Sequence, residues 1–410
     1  YQWFRGALNR GDIRTLQKAT MSLQKVKKSL QYTYWAAFTY ILVSDLPDAS
    51  VPEKTLYPKI AFKLIQDLEP LNEQEVFVHV KLLEKNGDKP AAIKLINDFS
   101  KSKAYDLELQ ILLILFLNDC EEWDHLKEVC ERVIFINKLD DFDTWKLLLK
   151  ALIQLKTPSE LILEKLNSVS SRNSYLACLE YAILTENQQF FNESLINYYE
   201  KFKVKLCCFN DIKYYYKTPL FDTNIVLELI ENCKSTFQTD DDLNTQVNNQ
   251  KLKLLLKGNV SEIVQENFNL YLKFTPLLKK KETTDYFAGD EFILINVQHI
   301  LQNDDFPMAC YKAVALLEHA MVRDKHESRL KLMAMKIYNY LNLRDLSIKY
   351  YQDLKIKMIQ CDTLGYTINS RIASVSPTAE KCNTLTNIQK FYLTCTEEMD
   401  DTLINAFDKN

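Results

Sequence analysis

Glycine is nearly missing from this chain, with six residues in 410 and only Gly6 and Gly11 close together. Phosphate-cradling loops need clustered glycines, because backbone N–H groups approach an anion closely only where no Cβ intervenes. The sequence accordingly has no G-x-G-x-x-G, no Walker-type loop and no G-x-S-x-G nucleophile elbow. The Gly-rich turn that holds the pyrophosphate of acetyl-CoA in the common acetyltransferase fold is missing too. Such a chain reads as built to hold something rather than to react with it.

Other shortages narrow the class further. The ten cysteines are irregularly spaced and Cys207 adjoins Cys208, which suits neither a disulfide framework nor a zinc knuckle. With no N-terminal signal peptide, they read as free thiols in a reducing cytoplasm. The longest pure apolar run, Ile111 to Leu117, is far short of the ~20 residues that span a bilayer. It reads as a buried helix face, and no membrane is expected. A net charge of −4 excludes a general nucleic-acid binder, so no sequence-specific nucleic-acid binding is expected and any basic surface is local. The chain opens at Tyr1, already inside a helical pattern, and reads as a fragment of something longer.

What is present is helical period. Apolar residues from Ile13 through Leu16, Leu23 and Val26 to Leu30 form a stripe after Asp12, which stands where an N-cap belongs. Leu56, Ile60, Leu64 and Leu68 repeat at four-residue spacing. No long stretch alternates with period two, so no strand is expected. The helices come in pairs. Val76, Val80 and Leu83 precede a turn at Gly87, and Ala92 and Ile96 follow it, with Asp88 able to cap the second helix. Those offsets match a tetratricopeptide hairpin. Met335, Tyr338, Asn342, Ser347 and Tyr351 repeat it more loosely, with Asn342 suited to a left-handed turn. Leu364, Gly365 and Ile368 carry its small-residue part.

The fold class is therefore all-α, a superhelical solenoid of degenerate tetratricopeptide-like hairpins. A single compact core rarely grows past ~250–300 residues, which also favours a quasi-one-dimensional array. Residues 1–201 read as N-terminal repeats, 202–375 as continuing repeats, and 376–410 as the tail of a longer C-terminal region. Ser44 to Pro52, Thr157 to Ser159, and the polar Thr236 to Gln250 read as connections, and Ser374 to Asn383 marks a change into a less periodic tail.

Few residues suggest chemistry. Asp140-Asp141-Phe142-Asp143 is one residue short of the magnesium-binding motif of all-α terpenoid synthases, and no second motif accompanies it. A turn that N-caps the helix containing Trp145 accounts for it better. His79, His125, His299, His319 and His326 make no H-E-x-x-H, and no cysteine pair has C-x-x-C spacing, so metal binding is not expected. The stretch Lys201 to Lys217 differs, placing Lys201, Lys203, Lys205, Lys213 and Lys217 among aromatics with one acid. Lys279, Lys280 and Lys281 form a second basic run. Such lysines either contact phosphate backbones by counterion release or fringe a helix pair with their long stems.

Two segments carry a family resemblance. Leu206-Cys207-Cys208-Phe209-Asn210-Asp211-Ile212-Lys213 resembles the P-C-C-F-x-D-L-K segment of the auxiliary subunit of the NatB N-terminal acetyltransferase complex. Lys357 to Tyr366, reading K-M-I-Q-C-D-T-L-G-Y, is similar to that family's K-x-I-Q-x-D-T-x-G-Y. Met21-Ser22-Leu23-Gln24-Lys25 with Tyr34-Trp35 is similar to its M-x-L-Y-K and F-W, and Leu316-Leu317-Glu318 and Leu330 to Leu343 keep its spacing.

The resemblance implies a non-catalytic scaffold that wraps a small catalytic subunit of the acetyl-CoA-dependent acetyltransferase (GNAT) fold. It implies a cytoplasmic complex that associates with the ribosome and acetylates nascent chains beginning Met-Asp, Met-Glu, Met-Asn or Met-Gln. No cofactor is expected in this chain, and acetyl-CoA is expected in the catalytic partner. Asp362, Thr363, Gly365 and Tyr366 become candidates for partner contact, and the eight lysines above for ribosome contact. The rival readings are an unrelated helical-repeat scaffold, such as a proteasome-lid-like subunit, and an all-α enzyme.

Overall fold

The computed structural model describes residues 1–102, 106–233, 236–257, 262–282, 284–357, 359–370 and 383–408. Among them every regular element is helical and no strand occurs. The chain divides into two compact units, Tyr1–Leu184 and Thr185–Asn410. Within each, successive helices pack in pairs as a solenoid, since an amphipathic helix must bury its apolar stripe against a neighbour.

In the first unit, Asp12 caps the helix Ile13–Val26 by accepting the Thr15 N–H at 3.0 Å. The hairpin Glu73–Lys85 with Lys89–Ser102 forms around Gly87, whose φ is +82°. Asp88 caps its second helix through the Ala91 N–H at 3.1 Å, and its own N–H reaches back to the Leu83 carbonyl at 2.9 Å. This back-bond closes orphan carbonyls at a helix end and requires a left-handed residue beside it. Glycine is so scarce that other residues take that role. Glu121, Lys156 and Asn342 have φ of 57°, 53° and 61°, and the residue after each bonds Leu117, Leu152 and Tyr338 in the same way. Asn342 was legible because asparagine tolerates this conformation, whereas the glutamate and lysine were not.

Four readings are corrected or sharpened. The buried side of the helix Tyr57–Ile65 carries Pro58, Ala61 and Ile65, while Leu56 and Ile60 are exposed. Four-residue spacing marks a helix face but not which face turns inward. Likewise Ile111 and Leu115 are exposed within the Ile111–Leu117 run, because a helix against one layer of neighbours buries only part of its circumference. The polar stretch up to Gln250 is not a connection throughout, since Asp240–Lys257 is a helix. Its Asn248, Asn249 and Gln250 are buried, and their polarity serves neighbouring chain instead of water. Pro52, placed in a loop, stands in the first turn of the short helix Val51–Thr55.

Of the stretch Ser374 to Asn383 only Asn383 belongs to the described residues, as the start of the helix Asn383–Asp408. Met358 of the motif above also lies outside them.

Candidate functional site

The acidic run of the first unit has a structural occupation. Asp141 caps the helix Phe142–Gln154 through the Thr144 N–H at 2.8 Å, and Asp140 accepts the Trp145 indole N–H at 3.0 Å. The residues of the family-like segments are also mostly packed. Tyr34 is buried and its hydroxyl lies 2.9 Å from His79 Nε2, while Trp35 stacks on Phe4 at 5.0 Å. Glu318 accepts the hydroxyls of Tyr338 and Tyr350, each at 2.6 Å.

The basic stretch is built on a buried polar knot in the second unit. The helix Gln188–Phe202 buries Tyr198 and Tyr199 side by side, as aromatic residues one apart at the edge of a wide apolar face. Tyr198 donates to the buried Asp211 carboxylate, and Tyr199 donates to Asn249 Oδ1 at 2.7 Å. Burial, then the charge of Asp211, pushes the Tyr198 phenol well above its usual range. Cys208 is fully buried, and burial likewise pushes its thiol up, so it is an inert packing residue. Asn248 donates to the Lys203 and Lys205 carbonyls at 2.8 Å each, which fixes the turn between the helices Gln188–Phe202 and Cys208–Tyr215.

Outward from this knot point the lysines. Lys201, Lys205, Lys213 and Lys217 are exposed, and Lys203 pairs with Glu200 at 2.5 Å. Phe209 receives two ammonium groups, Lys213 at 5.6 Å and Lys251 at 6.0 Å from its ring centre. Leu206, Lys280 and Lys281 line one cleft of about 360 Å³ together with Asp240, Asp285 and Tyr286. The fold thus brings Leu206 of the first stretch beside Lys280 and Lys281 of the second, while none of the five lysines of the first lines the cleft. Lys279 and Lys280 are exposed, whereas Lys281 turns inward to Asp324 at 3.1 Å and to the Asp285 carbonyl.

Behind Lys281 lies a group of charges that no sequence motif marks. Glu291 accepts Lys251 at 2.7 Å and the Arg329 guanidinium, and Arg329 stacks on Tyr286 at 4.2 Å. Burial works to raise the Glu291 carboxyl, but these cations outweigh it and hold the group below its ordinary range. Asp290, Asp324 and Glu327 are all buried beside them, and only a three-residue spacing between the last two was visible in advance.

The segment ending at Tyr366 divides by role. Its helix Ile359–Leu364 carries Asp362 and Thr363 on the surface. Asp362 would suit a helix cap ahead of the Leu364-Gly365 pair, but it does not cap one. It sits within this helix and accepts the Tyr392 hydroxyl, because the helix Asn383–Asp408 lies alongside. Gly365 is buried in a right-handed conformation, so its size matters and not its freedom. A Cβ there would stand 2.4 Å from the Cys361 carbonyl and 2.6 Å from Ile388 Cδ1. Asn339 ties the adjoining turn down through the Thr367 carbonyl at 3.1 Å, and Ile368 enters the core. Tyr366 alone of the four is a large, open surface, 58% exposed.

Gly365→Leu is therefore expected to overpack this junction and lower the unfolding free energy by about 1–3 kcal/mol. Chemical denaturation checks it. Tyr366→Phe should leave the midpoint unmoved, and a leucine variant of unaltered stability would contradict the packing role.

Comparison with known proteins completes the picture. Residues 142–410 match the family described as "N-acetyltransferase B complex (NatB) non catalytic subunit", and residues 1–134 match the N-terminal repeats of Psidin. The N-terminal acetyltransferase B complex subunit MDM20 of Saccharomyces cerevisiae is 26% identical over 92% of this chain and 47% of its own length. The NatB auxiliary subunit of Homo sapiens is 20% identical over 97% of the chain and 47% of its own. A chain in the solved NatB acetyltransferase complex bound to a bisubstrate inhibitor superposes with a TM-score of 0.80 at 28% identity. That match covers 99% of this chain and 50% of the other, so the chain spans about half the length of the relatives it matches. The family match covers most of the chain, and the chain belongs to the family of the non-catalytic subunit of the N-acetyltransferase B complex.

Proposed function

We propose that this chain is the scaffold part of a NatB-type complex, holding a catalytic acetyltransferase subunit of the GNAT fold and docking it where nascent chains emerge. The observation that carries the reading is the superposition of 99% of the chain on half of a chain in a NatB complex. Its chemistry is in keeping with that role. Tyr198 and Cys208, whose groups burial displaces strongly, are buried packing residues and not nucleophiles poised in a cleft. Exposed aromatic residues supply material for a protein contact instead. Phe306 and Tyr340 meet edge to face at 5.2 Å while both remain more than half exposed. Aromatic groups left open in this way are enriched at interface cores.

In this reading acetyl-CoA binds the catalytic partner, and the substrates are amino termini beginning Met-Asp, Met-Glu, Met-Asn or Met-Gln. Lys201, Lys205, Lys213, Lys217, Lys279 and Lys280 supply a basic surface for ribosomal RNA in the cytoplasm.

The test is coexpression with the catalytic subunit of the same organism. A stable pair that acetylates a Met-Asp peptide is expected, with the scaffold alone giving neither acetylation nor calorimetric binding of acetyl-CoA. Micromolar acetyl-CoA binding by the scaffold alone would overturn the reading. Reversing the exposed lysines should weaken ribosome cosedimentation as added salt does, because phosphate contacts release counterions, and should spare peptide acetylation. Unchanged cosedimentation would return those lysines to a solvated fringe.

A further inference from the structure

Three carboxylates from two separate stretches of the second unit converge where no base answers all of them. Asp290 opens the helix Asp290–Asn303, Asp324 ends the helix Met308–Arg323, and Glu327 caps the helix Ser328–Tyr340. One oxygen of each lies within 4.8 Å of the others, and all three residues are buried. Glu327 receives Arg329 at 2.8 Å, and Asp324 receives Lys281 at 3.1 Å. Asp290 is fully buried, and neither of its carboxylate oxygens has a hydrogen-bond partner. With the adjoining Glu291, four carboxyl groups face three ion-paired bases, Lys251, Lys281 and Arg329.

A second observation points to the same place. The Tyr271 hydroxyl is buried, feels the charges of Asp290 and Asp324, and also lacks a hydrogen-bond partner. A phenol in that position has a free lone pair and a free proton, which is costly in a dry interior unless something fills the space between.

We propose that Asp290, Asp324 and Glu327 form a site for a hard divalent cation of calcium size, joining the ends of three helices. The donors are all oxygen, which suits calcium or magnesium and gives soft metals no thiolate or imidazole. At the ~2.4 Å bond length of calcium, opposite ligands stand about 4.8 Å apart, whereas magnesium draws them to about 4.2 Å. Three oxygens within 4.8 Å of one another fit either ion, and calcium is favoured because a buried site strips water that magnesium gives up reluctantly. Lys281 both touches Asp324 and lines the 360 Å³ cleft, so the outer wall of the cluster is the inner wall of the cleft, and an ion enters beside its ammonium. The ion ties together a junction that otherwise holds an unpartnered acid.

The experiment uses the full chain, freed of metal by chelation and titrated near neutral pH. Calcium is expected to raise the melting temperature by several degrees, saturating at one ion per chain by equilibrium dialysis, with magnesium weaker. Asp290→Asn should abolish both the shift and the bound ion. Should that variant fail to fold, terbium luminescence excited through tyrosine on the unaltered chain gives the second reading, with calcium displacing the signal. A wild-type chain that binds no calcium and shows no shift at millimolar concentration overturns the site. So does an equal calcium shift in Asp290→Asn. A proton shared between Asp290 and Asp324 would reveal itself as calcium-independent stability that Asp290→Asn raises, and that outcome also refutes the cation.

Discussion

Replacing Trp145 by alanine lowers the unfolding free energy of the first unit by about 3–5 kcal/mol, the cost typical of deleting a buried tryptophan. Trp145 is fully buried on the helix Phe142–Gln154, and Phe135 meets its ring edge on at 5.7 Å. The substitution removes apolar area and leaves a cavity that hairpins packed on both sides cannot close, because a helix moves only as a rigid rod. It also strands Asp140, whose carboxylate receives the indole N–H. Trp145→Phe keeps the ring and loses the hydrogen bond, so it falls between wild type and alanine. Urea denaturation monitored by circular dichroism orders the three proteins. An alanine variant within 1 kcal/mol of wild type on that measurement would show that the site repacks freely, contrary to this account.

Acidification supplies the second large effect. His79 lies within the first unit, and burial pushes its imidazole down to about 4. The surrounding groups explain why nothing opposes this. Tyr34, itself pushed up to about 12 by burial and then by Glu75, offers a hydroxyl and not a charge. A histidine whose folded pKa lies below its unfolded value of about 6.5 binds its proton more weakly when folded. Its contribution is therefore complete above pH 6.5, is lost as pH falls toward 4, and levels off below that. The full loss is about 3 kcal/mol at 1.4 kcal/mol for each pH unit.

Carboxylates elsewhere titrate in the lower part of this range, so the difference between wild type and His79→Leu is the quantity to measure. The leucine variant should lose the Tyr34 hydrogen bond at every pH and show a flatter decline between pH 6.5 and 4. Parallel profiles for the two proteins would mean that the imidazole is not the group responsible.

Both effects arise in regions whose local structure was readable. Asp12, Asp88 and Asp141 each cap the helix that they precede, because a short side chain one residue before a helical pattern has only the orphan N–H groups to meet. Gly87 and Asn342 take left-handed turns for an equally local reason. The tetratricopeptide offsets at Ser347 and Tyr351 hold as well, with the Ser347 hydroxyl donating to the Met335 carbonyl at 3.2 Å. By contrast, the spacing of Leu56 and Ile60 was helical and yet faced outward, since periodicity carries no sign for inside and outside.

The sequence by itself determined the helical class, the hairpin unit and the absence of a Gly-rich cofactor loop, because each depends on residues within one or two turns of each other. Only the tertiary structure decided where the polar groups went. Tyr199 meets Asn249, and Asp290 meets Asp324, across 50 and 34 residues of sequence. The same holds for Gly365, whose small size is required by Ile388 on a separate helix and not by a turn. A buried polar side chain must find its partner among whatever groups the stacking of hairpins brings near, and that neighbour is fixed by packing and not by spacing along the chain.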